Sequence, residues 1–342
     1  MAAWRQAGGV VCMNGTGREN GLIVSEKWRL ASLTHDEWYG VGVAAVVVAA
    51  LFALFHFMGN MVPDVRSRSA FIWMTARWND RISFGGADYS HGWLIPLVSL
   101  GVIWYKRKEL LAAPKSVNSL GLAVIVGALA LHWIGAKMVQ TRLSLGALIL
   151  LLWGIPFYAW GWPTAKLLIF PCAYLVFAIP LNFLDVISFP LRLFATVTAT
   201  GFLNGIGIET MRRGSAIYSS AGGGFSFDVA DPCSGLRSLL AMTALTAVYA
   251  YVTQKTFWRK WILFAASIPL AIIGNVARIT TVALVAEAFG ERLALGIYHD
   301  YSGFVVFGVA IGLMIGLGGL LNANRRTWWK NLRAYWMQEP AA

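Results

Sequence analysis

The sequence predicts an all-α polytopic membrane protein, with about eight transmembrane helices, an interfacial or re-entrant helix and a short outer-face β-like flap. Three observations carry this. Of the 342 residues, 58% are hydrophobic and only 13% charged, where a soluble domain is nearer a quarter charged. The mean hydropathy is +0.61. Apolar runs of about 18 residues or more recur along the chain, each long enough to cross a hydrocarbon core of roughly 30 Å. The runs are continuous rather than alternating, which excludes a β-barrel.

The stretch MAAWRQAGGVVCMNGTGREN has no uninterrupted apolar core, so residues 1–38 read as a cytosolic tail rather than a signal peptide. One membrane domain comes next, over 39–324, closed by a basic cytosolic tail over 325–342. Its apolar segments fall at 40–60, 91–105, 119–136, 143–162, 167–184, 235–253, 261–285 and 302–321. The stretch 186–208 is weaker, because it carries Pro190, Arg192, three threonines and several glycines.

Basic clusters orient these segments, because Lys and Arg collect in cytoplasmic loops. Lys106–Arg107–Lys108, then Lys255, Arg259 and Lys260, then Arg325, Arg326, Lys330 and Arg333 all face inward if eight segments span and 186–208 does not. That stretch is therefore read as interfacial or re-entrant. The misfit is the first outer loop, with Arg66, Arg68, Arg77 and Arg81 against Asp64, Asp80 and Asp88. The net charge of +12 is then explained by cytoplasmic loops. The expected partner is the lipid bilayer and not nucleic acid. The three cysteines form no CxxC pair and no Cys/His cluster at zinc spacing, so neither a metal nor another cofactor is expected.

This threading brings chemistry together. Cys233 falls just before segment 235–253, at the outer face. Arg278 is the eighteenth residue of segment 261–285, about 26 Å along it and near the outer edge of the core. His299 precedes segment 302–321, outside again. Cysteine is commonly a small buried hydrophobe, and Cys172, inside FPCAYLVFAIP, reads that way. Cys233 instead sits in a turn at a helix start, where free N–H groups and the helix dipole favour a thiolate. Pro232 suits such a turn and Ser234 can cap it.

An arginine within a spanning segment is costly and marks a functional site by default, although Arg278 can also snorkel to the interface. Asn275, one turn earlier, shares its face. His299 is either a polar anchor or a general acid/base for a neighbouring thiol. His91, in DYSHGWLIP, is its rival, and the residues alone leave both open. His56 and His132 read as structural. Before the cysteine, FSFDVAD alternates like a short strand and GGG is a turn; such a flap can pair with an extended peptide. Asp231 there can pair with Arg237 or remain solvated.

Four motifs in order resemble the exosortase/archaeosortase family of multi-pass membrane cysteine transpeptidases. They are SHGWLIPLVSLGVIWYKRKEL, VADPCSGLRSL, NVAR and HDYSG, and the likeness covers the chain from about Asp88 onward. The resemblance implies that Cys233 is the nucleophile, Arg278 the essential arginine and His299 the third member, which favours His299 over His91. It implies membrane-tethered substrates with C-terminal sorting signals: a recognition motif, a spanning helix and a basic cluster. These would be cleaved at the outer face of the cell membrane through a Cys thioester. Pro232, where the family commonly has a small residue, and the long N-terminal tail depart from the pattern.

Two other classes compete. A transporter needs polar groups near the midplane and broken helices in related halves, whereas the polar groups here lie at the outer edge and no repeat is evident. A lipid- or glycan-modifying enzyme using an outer-face histidine would survive loss of Cys233; a transpeptidase would not.

Overall fold

The computed structural model describes residues 35–60, 62, 67–79, 89–181, 184–219, 225–228, 235–294 and 299–323, with backbone alone at 35–37, 184–188, 227–228, 235–238, 299–300, 302 and 304–306. Most of both expected tails lies outside these residues. The helices are α1 His35–Phe57, α2 Ala70–Asn79, α3 Leu94–Tyr105, α4 Arg107–Ala112, α5 Ser119–Lys137, α6 Thr141–Tyr174, α7 Leu184–Gly205, α8 Gly235–Thr253, α9 Phe257–Phe289, α10 Glu291–Leu293 and α11 His299–Asn322. Strands β1 Thr210–Arg213, β2 Ala216–Ser219 and β3 Ser226–Asp228 form an antiparallel sheet in the order β1-β2-β3. The chain divides into two units, residues 1–50 and 51–342. The described part of the first is the opening of α1, and every later helix and strand belongs to the second.

Among the described residues, Trp38–Phe57, Ser119–Lys137, Thr141–Ala178 and Phe257–Phe289 are long and apolar enough to cross a membrane. Leu239–Thr253 and Phe307–Asn322 are shorter apolar helices. Two differences from the eight expected segments have local causes. The segment at 91–105 is a 3-10 turn, Ser90–Trp93, continued by a helix of only 12 residues. The segments at 143–162 and 167–184 share the long α6, but Gly161 breaks it with φ +77° and ψ −175°. The Trp153 indole donates to the Ala165 carbonyl at 2.9 Å. Twelve residues of unbroken helix would separate those positions by about 18 Å, so the chain folds back at Gly161.

Small residues bring α5 against the first half of α6. A Cβ on Gly121 would lie 2.3 Å from the Tyr158 backbone nitrogen, so only glycine permits this approach, as is usual where membrane helices pack closely. The fold also groups the helix ends as the charge rule requires. Lys106 donates to Glu109 at 2.7 Å. That bond holds its pKa above the ordinary lysine value despite desolvation, with the charges of Glu109, Tyr251 and Tyr105 adding to it. The Lys260 ammonium lies 4.6 Å from the centre of the Tyr251 ring. The ends of α3 and α8 and the start of α9 thus lie together.

At the opposite end, Thr141 bonds Asn60, and Arg142 Nε donates to the Pro180 carbonyl at 2.6 Å. The Trp78 indole there donates to Ala178 at 2.8 Å. Arg77 and Arg142 both stand over the Trp73 ring, at 5.7 and 5.5 Å. An aromatic face thus absorbs part of the arginine excess that the charge rule left on this side.

The stretch 186–208, expected to be an interfacial or re-entrant helix, is helical through Gly205. It forms one continuous helix, α7, of 22 residues. Its threonines, read from sequence as weakening, satisfy themselves: Thr196, Thr198 and Thr200 donate to the carbonyls of Arg192, Phe194 and Thr196 at 2.8–2.9 Å. Ala195, Ala199 and Leu203, one turn apart, bury against Ile279, Val282, Ala283 and Ala286 of α9. Leu191 and Arg192 lie beside Ala271 and Asn275, so α7 runs parallel to α9. Leu181, just before it, shares a cavity with Leu240 and Ser267. The helix therefore continues in the direction of the second half of α6 and does not return toward the basic end.

The sheet completes this region. Ile217 and Phe225 are buried in the α7–α9 cluster, Asn204 receives the Thr210 backbone N–H at 2.7 Å, and Ser219 donates to Glu287 at 3.3 Å. The alternating FSFDVAD stretch thus does contribute a strand. α9 consequently extends beyond 261–285 at both ends, to 33 residues or about 50 Å, because its last turns carry the sheet and α7.

Candidate functional site

Three helices, α8, α9 and α11, meet in a cluster where Met242, Ala271 and Ala310 are buried against one another. Below it, Thr246 Oγ1 lies 3.2 Å from Met314 Sδ, and Ser267 donates to Thr243 at 3.3 Å. These contacts set the register: α8 runs antiparallel to α9 and parallel to α11. Seven residues from the cluster along each helix, two turns or about 10 Å, lie Gly235, Arg278 and Gly303. The first residue of α8, an arginine of α9 and a glycine of α11 thus come level.

Arg278 and Gly303 are neighbours across α9 and α11. A Cβ on Gly303 would lie 3.5 Å from Arg278 Nη2, 3.6 Å from Cζ and 3.9 Å from Nη1, so the guanidinium stands beside Gly303. His299 is the first residue of α11 and four residues before Gly303, on the same helical face. A cavity of about 40 Å³ lies between Arg278 and the cluster, lined by Met242, Gly274, Asn275, Arg278, Gly303 and Phe307, among others. Asn275 is 8% exposed. It also lines a second cavity, of about 20 Å³, toward α7, with Leu191, Arg192, Ala195, Leu239 and Ile272.

Of the sequence-predicted residues, Arg278 and Asn275 share the first cavity. Cys233 and Ser234 lie outside the described residues, as do the side chains of Arg237 and His299; the Arg237 backbone is in the first turn of α8. His91 is elsewhere. It occupies the 3-10 turn before α3, its ring 5.7 Å from that of Tyr89, and it does not line the Arg278 cavity. The adjacent glycine explains that motif: a Cβ on Gly92 would lie 2.3 Å from the Trp78 indole nitrogen. The Ser–His–Gly turn is thus a packing junction between α2 and α3. Cys172 is a free, buried cysteine of α6, and among the described residues no group of His, Cys, Asp and Glu is placed to hold a metal.

Sequence reasoning passed over Arg192. The available signal was the one that singled out Arg278, an arginine inside an apolar helix, but at Arg192 it was taken as a reason to doubt the helix.

The fold and this site define a helical membrane protein whose polar side chains gather where α8, α9 and α11 meet beside α7. The chain belongs to the transmembrane exosortase family (Exosortase EpsH), whose family model matches residues 78–316. The match contains α3 to α10 and every residue of the Arg278 cavity. No curated protein and no solved structure matches the chain.

Proposed function

We propose that this chain is a membrane-embedded cysteine transpeptidase that cleaves C-terminal sorting signals of exported proteins at the outer face of the cell membrane. Membership of the exosortase family supports the class of reaction. The observation that carries the assignment of residues is the common level of Gly235, Arg278 and Gly303. Cys233 precedes Gly235 by two residues, and chain connectivity alone keeps their Cα atoms within about 7.6 Å. His299 precedes Gly303 by one helical turn. In this reading, chain connectivity brings Cys233 and His299 to the level of Arg278.

In this reading the Cys233 thiolate adds to the carbonyl carbon of the scissile peptide bond. Negative charge develops on the carbonyl oxygen, and the Arg278 guanidinium, held against Gly303, stabilises it. His299 gives a proton to the departing amine as the C–N bond breaks, leaving an acyl-thioester on Cys233. An acceptor amine, or water, then attacks the thioester, gives up a proton to His299 and releases the thiolate. Asn275 orients the substrate in the cavity beside Arg278. No step uses a metal or other cofactor.

The test uses a tagged protein from the same genome that ends in a short shared motif, an apolar helix and a basic cluster. It is co-expressed with this chain or with Cys233→Ala, and its C-terminus is monitored by gel shift and intact mass. Processing that requires Cys233 is expected, and the product mass shows hydrolysis or attachment. Equal processing by both forms, at equal enzyme levels, overturns the nucleophile assignment.

A further inference from the structure

We propose that the edge of β3 turned away from β2 is a docking edge, on which the extended part of the substrate before its cleaved bond adds as a fourth strand. The proposal rests on the transpeptidase reading above and adds to it a main-chain contact that none of the predicted catalytic residues makes.

The register fixes which groups that edge presents. In an antiparallel pair, residues that exchange hydrogen bonds alternate with residues whose N–H and C=O point away from the partner strand. β2 and β3 pair as Ile217↔Phe227 and Tyr218↔Ser226, and the Ser219 N–H donates to the Phe225 carbonyl at 2.8 Å. Phe225 and Phe227 therefore bond β2, and the main-chain groups of Ser226 and Asp228 point the other way. The same alternation turns Thr210 and Arg212 of β1 away from β2. There the fold supplies a cover: Asn204 accepts the Thr210 N–H at 2.7 Å and donates to its carbonyl at 3.2 Å. One edge is thus closed by an amide that imitates a strand. On the other edge Ser226 is exposed, and among the described residues nothing bonds its main-chain N–H or C=O.

The position of the edge selects its partner. Ile217 and Phe225 anchor the sheet in the α7–α9 cluster. Ser219 reaches Glu287, nine residues or about 14 Å beyond Arg278 on α9. A substrate whose spanning helix follows its cleaved bond leads the preceding residues outward past Arg278, and about four extended residues cover that distance. β3 ends at Asp228, five residues before Cys233, so the chain that forms the edge also carries the predicted nucleophile. An unpaired strand edge is a ready template for another strand, and main-chain hydrogen bonds give an added strand its affinity. Ser226 and Asp228 repeat at about 7 Å along β3, a spacing that an extended peptide matches and a helix or a lipid headgroup does not.

The test uses detergent-purified, full-length enzyme and synthetic peptides from a sorting-signal protein of the same genome, spanning the recognition segment, the cleaved bond and the apolar helix. In each peptide one backbone amide before the cleaved bond is changed to an ester, which removes one N–H and keeps the side chain. Esters at two alternate positions are expected to raise KM about 5- to 10-fold, with the position between them silent. Ser226→Pro removes the donor that points away from β2, a loss that a strand edge tolerates. It should raise KM about 10-fold and keep the rate at saturating substrate. Arg212→Pro removes the corresponding donor on the opposite edge and should leave KM unchanged. Ester effects that do not alternate, or an unchanged KM in a folded Ser226→Pro enzyme, overturn the proposal. Failure of the transpeptidase reading shows separately, as cleavage of the all-amide peptide by Cys233→Ala at the unmodified rate. Retention of the ester series on the Cys233→Ala enzyme then stays decisive for the strand edge.

Discussion

The guanidinium of Arg278 lies beside Gly303, with Nη2, Cζ and Nη1 all 3.5–3.9 Å from where a Cβ would stand. Only a residue without a large side chain lets an arginine of α9 rest on α11 one turn from His299. The spacing is ordinary van der Waals contact, so it also limits which substitutions are tolerated.

Gly303→Ala should therefore retain processing, and Gly303→Leu should lose about 10²–10³-fold by displacing the guanidinium from the developing oxyanion. Both variants should express normally, since their effect is on Arg278 and not on the helix. In vivo processing of a sorting-signal substrate, normalised to enzyme in the membrane, checks this.

Arg278→Ala should cost a similar 10²–10³-fold. Arg278→Lys should recover little, because an ammonium cannot cover Gly303 with a planar face or present two parallel donors. Full activity in the lysine variant would show that a positive charge alone suffices.

The two histidines should separate by kind of defect. His299→Ala should leave the fold intact and abolish turnover. His91→Ala should retain turnover and lower thermal stability in detergent, because His91 sits in the packed turn beside Tyr89 and Trp78. Loss of turnover in a stable His91→Ala protein would reverse the assignment.

Cys233 should react with a membrane-impermeant maleimide added to intact cells in a Cys12→Ser background. Cys172, buried within α6, should stay unlabelled until the protein is denatured. Labelling of Cys233 only after permeabilisation would place the site on the inner face.

Gly161→Ala should destabilise by about 1–3 kcal/mol from the backbone conformation alone, and more because its Cβ would stand 2.6 Å from the Ser116 carbonyl oxygen. Gly146→Ala is the control, since nothing lies within 4 Å of a Cβ there. A thermal melt in detergent distinguishes them.

Much of the fold was legible along the chain itself. Long apolar runs ending in Lys and Arg report a bilayer solvent, because hydropathy acts locally along the chain. The four motifs SHGWLIPLVSLGVIWYKRKEL, VADPCSGLRSL, NVAR and HDYSG, taken in order, identified the family. The strand in FSFDVAD was visible through its period of two. Other features depend on what packs against what. The break between the segments 143–162 and 167–184 was legible, but its position at Gly161 shows only once Trp153 meets Ala165. That α7 packs along α9 was not legible, because its threonines look polar in sequence, while in the helix they bond their own carbonyls.

By itself, then, the sequence determined a helical membrane protein, its basic clusters and its family. Hydropathy and charge act residue by residue and need no partner. Tertiary structure alone decided that α7 runs beside α9, that His91 belongs to a packing turn, that Gly235, Arg278 and Gly303 share one level, and that Arg192 faces a cleft with Asn275. These are registers between helices, fixed by how side chains interlock across sequence separations that no local pattern spans.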